Sequence, residues 1–376
     1  MRRFERIYDA VEPVEEYRPG GYHPVHLGDV FHQRYEITGK LAFGQYSTVW
    51  LAKDRQLESR QVVLKISKSE ASQNNSELSF LLTLSCSDTA HPGRRHVIEI
   101  LDHFSHTGPN GTHLCLVFPA MISDGEAMTI SGKPREAGYI RAVSRQILLG
   151  LDFLHQSGIV HCDLQPANIL FSVAGLTNMD ELLQPPEFSP VKWLPGVVED
   201  HSAPRYLMPT QRRRGQLNNA DFSTIQVRIG DLGGAQYIRH CDQQPVTLLA
   251  LRAPELIRQY INGTSIDRAI DIWTLGCLLF ELATNEPLFP LDTFRLTRKE
   301  IENDHCSLIN QRLSSNSQGD ENFMRYLSDR LPISFGAKNV KTLASFLSHM
   351  LQVSPRDRLS ASDLLQTPFL LSEFQH

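Results

Sequence analysis

The chain has 376 residues, enough to bury a full core as one bilobal domain or two ordinary ones. Its 41% hydrophobic and 21% charged residues describe a globular protein, and 37 Lys and Arg against 42 Asp and Glu leave a net charge of −5, which gives no support to direct nucleic-acid binding. Six scattered cysteines (Cys86, Cys115, Cys162, Cys241, Cys277, Cys306) contain no CxxC pair and suggest neither a zinc site nor a disulfide framework, and no run approaches the roughly 18 apolar residues of a membrane span.

Residues 1–34 are charged and rich in Gly, Pro and His, and are expected to form an extended tail leading into the fold. They include no apolar signal-peptide core, so an intracellular protein with reduced thiols is expected, in cytoplasm, nucleus or both. From Tyr35 the stretches YEITGKL, STVWLAKD and QVVLKIS predict an antiparallel meander. Its first turn lies in LAFGQYSTVW (41–50), where Gly44 would let backbone amides close over phosphates; Ala42 and Ser47 stand where a GxGxxG pattern would have further glycines, and an ordinary hairpin fits the motif equally well. Lys65 sits inside the apolar strand VVLKI and needs an anionic partner, a phosphate or a carboxylate. The helix ASQNNSELSFLLTL follows, with Leu78, Leu81 and Leu82 marking a core face and Glu77 beside it. HVIEILDHF and THLCLVFPAM predict two more strands joined through GPNG, with Pro119 and Ala120 as a hinge into a helical region.

The apolar-periodic run AVSRQILLGLDFLHQSGIV leads into HCDLQPANIL (161–170), which puts Asp163 and Asn168 on one short loop, a proton acceptor and an oxygen ligand for a cation. Residues 172–224 have little periodicity and read as an irregular insert; Arg212, Arg213 and Arg214 within it read as a solvated charge cluster. VRIGDLGGA presents Asp231 between a strand and two glycines, a good place for a metal ligand. LRAPEL, the all-round apolar helix IDIWTLGCLLFELA, and SPRDRLSASDLLQTPFL, whose Arg358 is placed to reach a buried acid, complete the chain.

In this order the motifs resemble the eukaryotic protein kinases, from about Tyr35 to Leu370. The resemblance implies an α+β bilobal fold: an N-terminal extension (1–34) and a kinase domain (35–371), with a small β-rich N-lobe (35–119) and a larger helical C-lobe (120–371) carrying the insert. It implies Mg²⁺-ATP bound between the lobes by Leu41, Ala42, Phe43, Gly44, Gln45, Val49, Val63, Phe118 and Leu170. Lys65, held by Glu77, would grip the α- and β-phosphates. Asn168 and Asp231 would hold Mg²⁺ and Asp163 would orient the substrate hydroxyl. Glu255 would pair with Arg358, and Asp271 would anchor the catalytic loop.

Within that family the entry GGYHPVHLGDVFHQRYEITGKLAFGQYSTVWLAKD, the HPGRRHVIEILDHFSHTGPNGTHLCLVF strand pair, the DLG motif and the insert are similar to the SR-protein kinases. That likeness implies a monomeric serine/threonine kinase of arginine/serine-rich splicing factors, in cytoplasm and nucleus, with no membrane partner. Asp304 matches an acidic docking position, while Gln311 stands where another acid is expected. Gln165 replaces the lysine that helps neutralise the γ-phosphate, Cys162 replaces the arginine of HRD, and Leu248 occupies the usual threonine position with Thr247 one residue early. These departures keep open a pseudokinase that binds nucleotide with little or no transfer. HCDLQPANIL also resembles the HGDLHPGN loop of small-molecule kinases, but those lack the LRAPEL segment and its arginine partner.

Overall fold

The computed structural model describes residues 2–58, 60–87, 90–121, 123–129, 134–174, 183–213, 217, 223–238, 245–258, 267–313 and 317–371. The chain forms two compact units, one of residues 1–87, 98–122 and 175–216, the other of 88–97, 123–174 and 217–376. Cys241 and Arg214 lie outside the described residues; the five described cysteines are free thiols. Among the described residues no helix is long and apolar enough to cross a membrane.

The first unit is built on a six-stranded antiparallel sheet in the order β1 (Val30–Phe31), β2 (Tyr35–Phe43), β3 (Ser47–Asp54), β4 (Arg60–Ser67), β6 (Gly111–Pro119), β5 (Asp102–Gly108). The meander β2–β3–β4 follows the alternation in the sequence, and the Pro109–Asn110 turn closes the β5–β6 hairpin as GPNG predicts. HVIEI, expected to open β5, precedes that strand, and Val97 makes only a single bridge with Ile229. Helix α1 (Ser76–Ser85) is capped by the Asn75 side chain, which accepts from Leu78 N at 2.9 Å. Its inward face is Glu77, Phe80, Leu81 and Leu84; Leu82, expected to be in the core, is exposed. The spacing i, i+3, i+4, i+7 runs through the buried glutamate, which a reading of leucines alone passes over.

The expectation of an extended tail at 1–34 is overturned. Phe4, Tyr17, Tyr22, Val25 and Phe31 are all at most 2% exposed. Phe4 bridges to Trp193, Leu194 N donates to Arg3 O at 2.9 Å, and Tyr17 and Tyr22 pack with Leu207. The insert, read as irregular, supplies these partners: its described residues 183–213 belong to this unit and include the antiparallel pair Ser189–Pro190 with Tyr206–Leu207. Single aromatics among charges and prolines leave no periodic signal, yet they are buried against residues far away in the chain. The charges between them are matched by Glu12 on Lys40, Glu16 on Lys68 and Glu15 on Arg3.

The second unit is helical. Helices α2 (Gly125–Thr129) and α3 (Ala137–Gln156) precede a small sheet in which Ile169–Val173 pairs with Ile225–Ile229 on one side and Ser123–Asp124 on the other. Two strands thus bracket the insert at its departure and return. Helix α4 (Pro254–Arg258) leads to α5 (Ala269–Thr284), nearly all of whose side chains are buried, as its apolar sequence requires. Helices α6 (Arg298–Arg312), α7 (Ser317–Ser328) and α8 (Ala337–Met350) follow. α6 opens on a capping box of Thr297 and Glu300.

Arg358 ties the end of the chain back to α4 and α5. It grips Glu255 with two hydrogen bonds of 2.6 and 2.7 Å, donates to Ala269 O at 2.8 Å and lies over the Trp273 ring at 5.1 Å. Arg358→Leu strands the Glu255 carboxylate and three carbonyl-directed bonds, and is expected to destabilise the second unit by about 3–5 kcal/mol. Chemical unfolding followed on Trp273, the one tryptophan of that unit, in a variant with Trp50 and Trp193 replaced by Phe, reads the loss as a lower midpoint.

Candidate active site

In the first unit, Ala42 pairs with Val49, Val49 with Lys65, Lys65 with Leu116, and Val63 with Phe118. Cross-strand partners and residues two apart share a face, so Ala42, Val49, Val63, Lys65 and Phe118 line one side of the sheet. Lys65 Nζ bonds both carboxylate oxygens of Glu77, at 2.9 and 2.8 Å, and both side chains are largely buried. The strand therefore presents its ammonium with the charge already balanced from α1, which the burial of either charge alone would forbid.

The β2–β3 hairpin turns at Gly44, whose N–H donates to Ser47 O at 2.9 Å. Leu41 is buried, Ala42 is half-buried, and Phe43, Gly44 and Gln45 are exposed. A Cβ on Gly44 would meet no protein atom within 4 Å, and its φ is not in the left-handed region. The fold therefore has no need of glycine there; the open space suits a group that must come close to the backbone, as a phosphate does.

The second unit carries the remaining candidates, and their geometry begins at Asp271 on α5. Its Oδ1 accepts from Cys162 N at 2.9 Å, its Oδ2 from His161 N at 2.8 Å, and its Oδ2 also meets His155 Nε2 at 2.9 Å. Cys162 is held at φ +64, a strained conformation for a non-glycine residue, costing about 1–3 kcal/mol, that persists because these bonds fix both sides of it. The turn is followed at once by Asp163, which is half-buried. His161 in turn donates from Nε2 to Gly230 O at 3.0 Å and accepts at Nδ1 from Asp163 N at 3.2 Å, joining this loop to the glycine before Asp231.

Asp163 Oδ2 receives Gln165 Nε2 at 2.9 Å and Asn168 Nδ2 at 3.2 Å, and the same Asn168 amide donates to Asp163 O at 2.8 Å. Asn168 thereby keeps Oδ1 as its oxygen for a cation. Burial raises the affinity of Asp163 for its proton, opposed by His161 and Gln165, while the negative charge of Asp231 raises it further. Asp231 is exposed, sits at φ +55 and accepts Gly233 N at Oδ1. Leu170 packs so close to Gly230 that a Cβ there would lie 2.7 Å from its Cδ1.

No group of three or more His, Cys, Asp or Glu side chains forms a metal cage among the described residues. One carboxylate and one amide oxygen do fit Mg²⁺, which keeps several waters and is commonly held by one or two carboxylates together with substrate phosphates. Thr247 was expected only as a displaced threonine; its buried hydroxyl donates to Cys162 O at 2.6 Å, while Leu248 is exposed. The residues not foreseen at all are Tyr22, which bonds Gly44 of the hairpin, and Glu12 and Gln211, which bond Lys40 on the strand leading into it, all from distant parts of the chain. Single side chains with no motif gave no sign of this.

Comparison with known proteins accords with this geometry. Residues 35–180 and 217–370 match the protein kinase domain family. A serine/threonine-protein kinase SRPK of Physarum polycephalum is 32% identical over 409 residues, spanning 96% of this chain and 91% of its own. Protein kinase dsk1 of Schizosaccharomyces pombe is 27% identical over 481 residues, spanning 97% of this chain and 86% of its own. SRSF protein kinase 3 of Homo sapiens is 36% identical over 168 residues, 43% of this chain and 30% of its own.

The opposing influences on Asp163 are separable by carboxyl NMR. Its titration is expected above the range of a free aspartate, about 3.9. Gln165→Leu, which removes a hydrogen bond to the charged form, is expected to move it higher, and Asp231→Asn to move it lower. A titration insensitive to both changes would show that burial alone sets it.

Proposed function

This chain belongs to the protein kinase family and, within it, to the serine/threonine kinases of SRPK type, and on that premise we propose that it transfers the γ-phosphate of ATP to serine or threonine hydroxyls of arginine/serine-rich proteins. The observation that carries the reading is the constellation on one loop: Asp163 oriented by Gln165 and Asn168 on a backbone fixed by Asp271. A pseudokinase needs no such arrangement.

Each residue takes the role its contacts allow. The hairpin 41–49 offers backbone amides and the open space over Gly44 to the phosphates, and Val49, Val63 and Phe118 give the adenine an apolar face. Leu170 would add a further apolar side chain for the adenine. Lys65, balanced by Glu77, holds the α- and β-phosphates. Asn168 Oδ1 and Asp231 would hold Mg²⁺, which supplies charge neutralisation to the phosphate oxygens. Asp163 accepts a hydrogen bond from the substrate hydroxyl and takes its proton as the hydroxyl oxygen bonds to the γ-phosphorus and the bond from that phosphorus to the ADP oxygen breaks.

Gln165 donates to Asp163 where a lysine would add positive charge. A neutral donor orients the base without neutralising the γ-phosphate, so the transfer is expected to be slower, on the order of 2–4 kcal/mol in barrier, than with lysine present. Support for basic substrates comes from the SRPK relatives and from exposed Asp304 on α6; Gln311, also exposed, adds no charge.

The test is radiolabelled transfer from Mg²⁺-ATP to an arginine/serine-repeat peptide beside a generic basic protein. Labelling of the repeat peptide that falls on the order of 100-fold in Lys65→Met is expected. Labelling of the generic protein alone would remove the substrate assignment, and nucleotide binding without labelling of either would establish a pseudokinase.

A further inference from the structure

The phosphate-facing hairpin has one glycine where a glycine-rich loop would have several, and its backbone is held at many points from outside. Tyr22 Oη donates to Gly44 O at 2.6 Å, and Lys68 N to Tyr46 O at 2.8 Å. On the strand feeding the hairpin, Gln211 N donates to Lys40 O at 2.8 Å and Gln211 Oε1 accepts from Lys40 N at 2.9 Å, a two-point clasp, while Thr210 Oγ1 donates to Leu41 O. These bonds give β2 an outer neighbour where β1, which pairs only with Tyr35 and Glu36, has ended.

Behind the hairpin the Lys40 side chain is fully buried and ion-paired with Glu12, whose other oxygen accepts the Tyr17 hydroxyl at 2.6 Å. The ammonium lies 5.4 Å from the centre of the Phe43 ring and 5.3 Å from that of Trp50, so the same buried charge contacts a hairpin side chain. Tyr22 is itself fixed: Asn110 Nδ2 donates to both Tyr22 O and Ser202 O at 2.6 Å, and Lys68 Nζ stands 4.5 Å from its ring. Burial pushes the Tyr22 hydroxyl up to about 12, so it remains a donor at any working pH.

We propose that Glu12 and Tyr22 of the N-terminal segment and Gln211 of the insert are positioning residues for nucleotide binding: together they brace the hairpin 41–49 in the conformation that receives the ATP phosphates. The inference rests on the kinase reading above. Mobile glycines are unnecessary where the carbonyls of Lys40, Leu41, Gly44 and Tyr46 are each held. The ordering cost that a loose loop would meet on binding is met during folding instead.

Tyr22→Phe removes one hydroxyl and leaves the ring packing intact. The expected result is a KM for ATP, and a Kd for a fluorescent ATP analogue, raised about three- to tenfold, the size of one hydrogen bond. kcat and the KM for peptide should stay within about twofold. Glu12→Gln alone strands a buried ammonium and risks misfolding, so the second variant is Glu12→Leu with Lys40→Leu, which removes both charges. It is expected to fold, as judged by its unfolding midpoint, and to show the same selective loss of ATP affinity. Folded variants with wild-type affinity for ATP would overturn the brace while leaving the kinase reading intact. A wild-type protein that binds no ATP would overturn the kinase reading and the brace with it.

Discussion

The Asp271 carboxylate is taken out of water on a largely apolar helix, and a charge so placed must be met by donors or be expelled. It is met by the amides of His161 and Cys162 and by the His155 ring. Satisfying that one group fixes the backbone of the loop and holds Cys162 in its left-handed conformation, directly before the half-buried Asp163. From there the chain of constraint runs through His161 to Gly230, and so to the strand end that presents Asp231. The chemistry of the second unit hangs on a structural ion that would never touch a substrate.

The first unit solves a related problem with different means. Lys65 and Glu77 neutralise each other within the sheet-and-helix core, as Lys40 and Glu12 do behind the hairpin. Both pairs join a strand to a segment outside the sheet, so each fixes a backbone as well as a charge. Charge complementarity at buried sites thereby gives position, which hydrophobic packing alone supplies less sharply.

The parts legible in the sequence are those whose residue types are forced by chemistry at short range. The lysine inside VVLKI, the HxDxxxxN loop, the DLG turn and the LRAPEL glutamate with Arg358 each carry their own spacing, and their order gave the family and the α+β architecture. Helix α1 was found, but its face was misread because Glu77 occupies a core position. The packing of residues 2–34 and 183–213 was not legible. There the contacts are single and distant, Phe4 with Trp193, Glu12 with Lys40, Gln211 with Lys40, and no period or motif links residues so far apart. A segment rich in charge, Gly and Pro is soluble as a tail and equally able to wrap a sheet edge if its few aromatics find hollows.

The central claim is that Asp163 acts on the hydroxyl while nucleotide is held by other residues. Asp163→Asn keeps the shape of the side chain and removes its capacity to take a proton, so ATP affinity and phosphate transfer should be measured side by side on this variant. ATP affinity close to wild type, with transfer to the peptide reduced about 10²- to 10⁴-fold, is the expected result. Transfer at the wild-type rate would contradict the role of Asp163 and, with it, the reading of the loop that Asp271 holds in place.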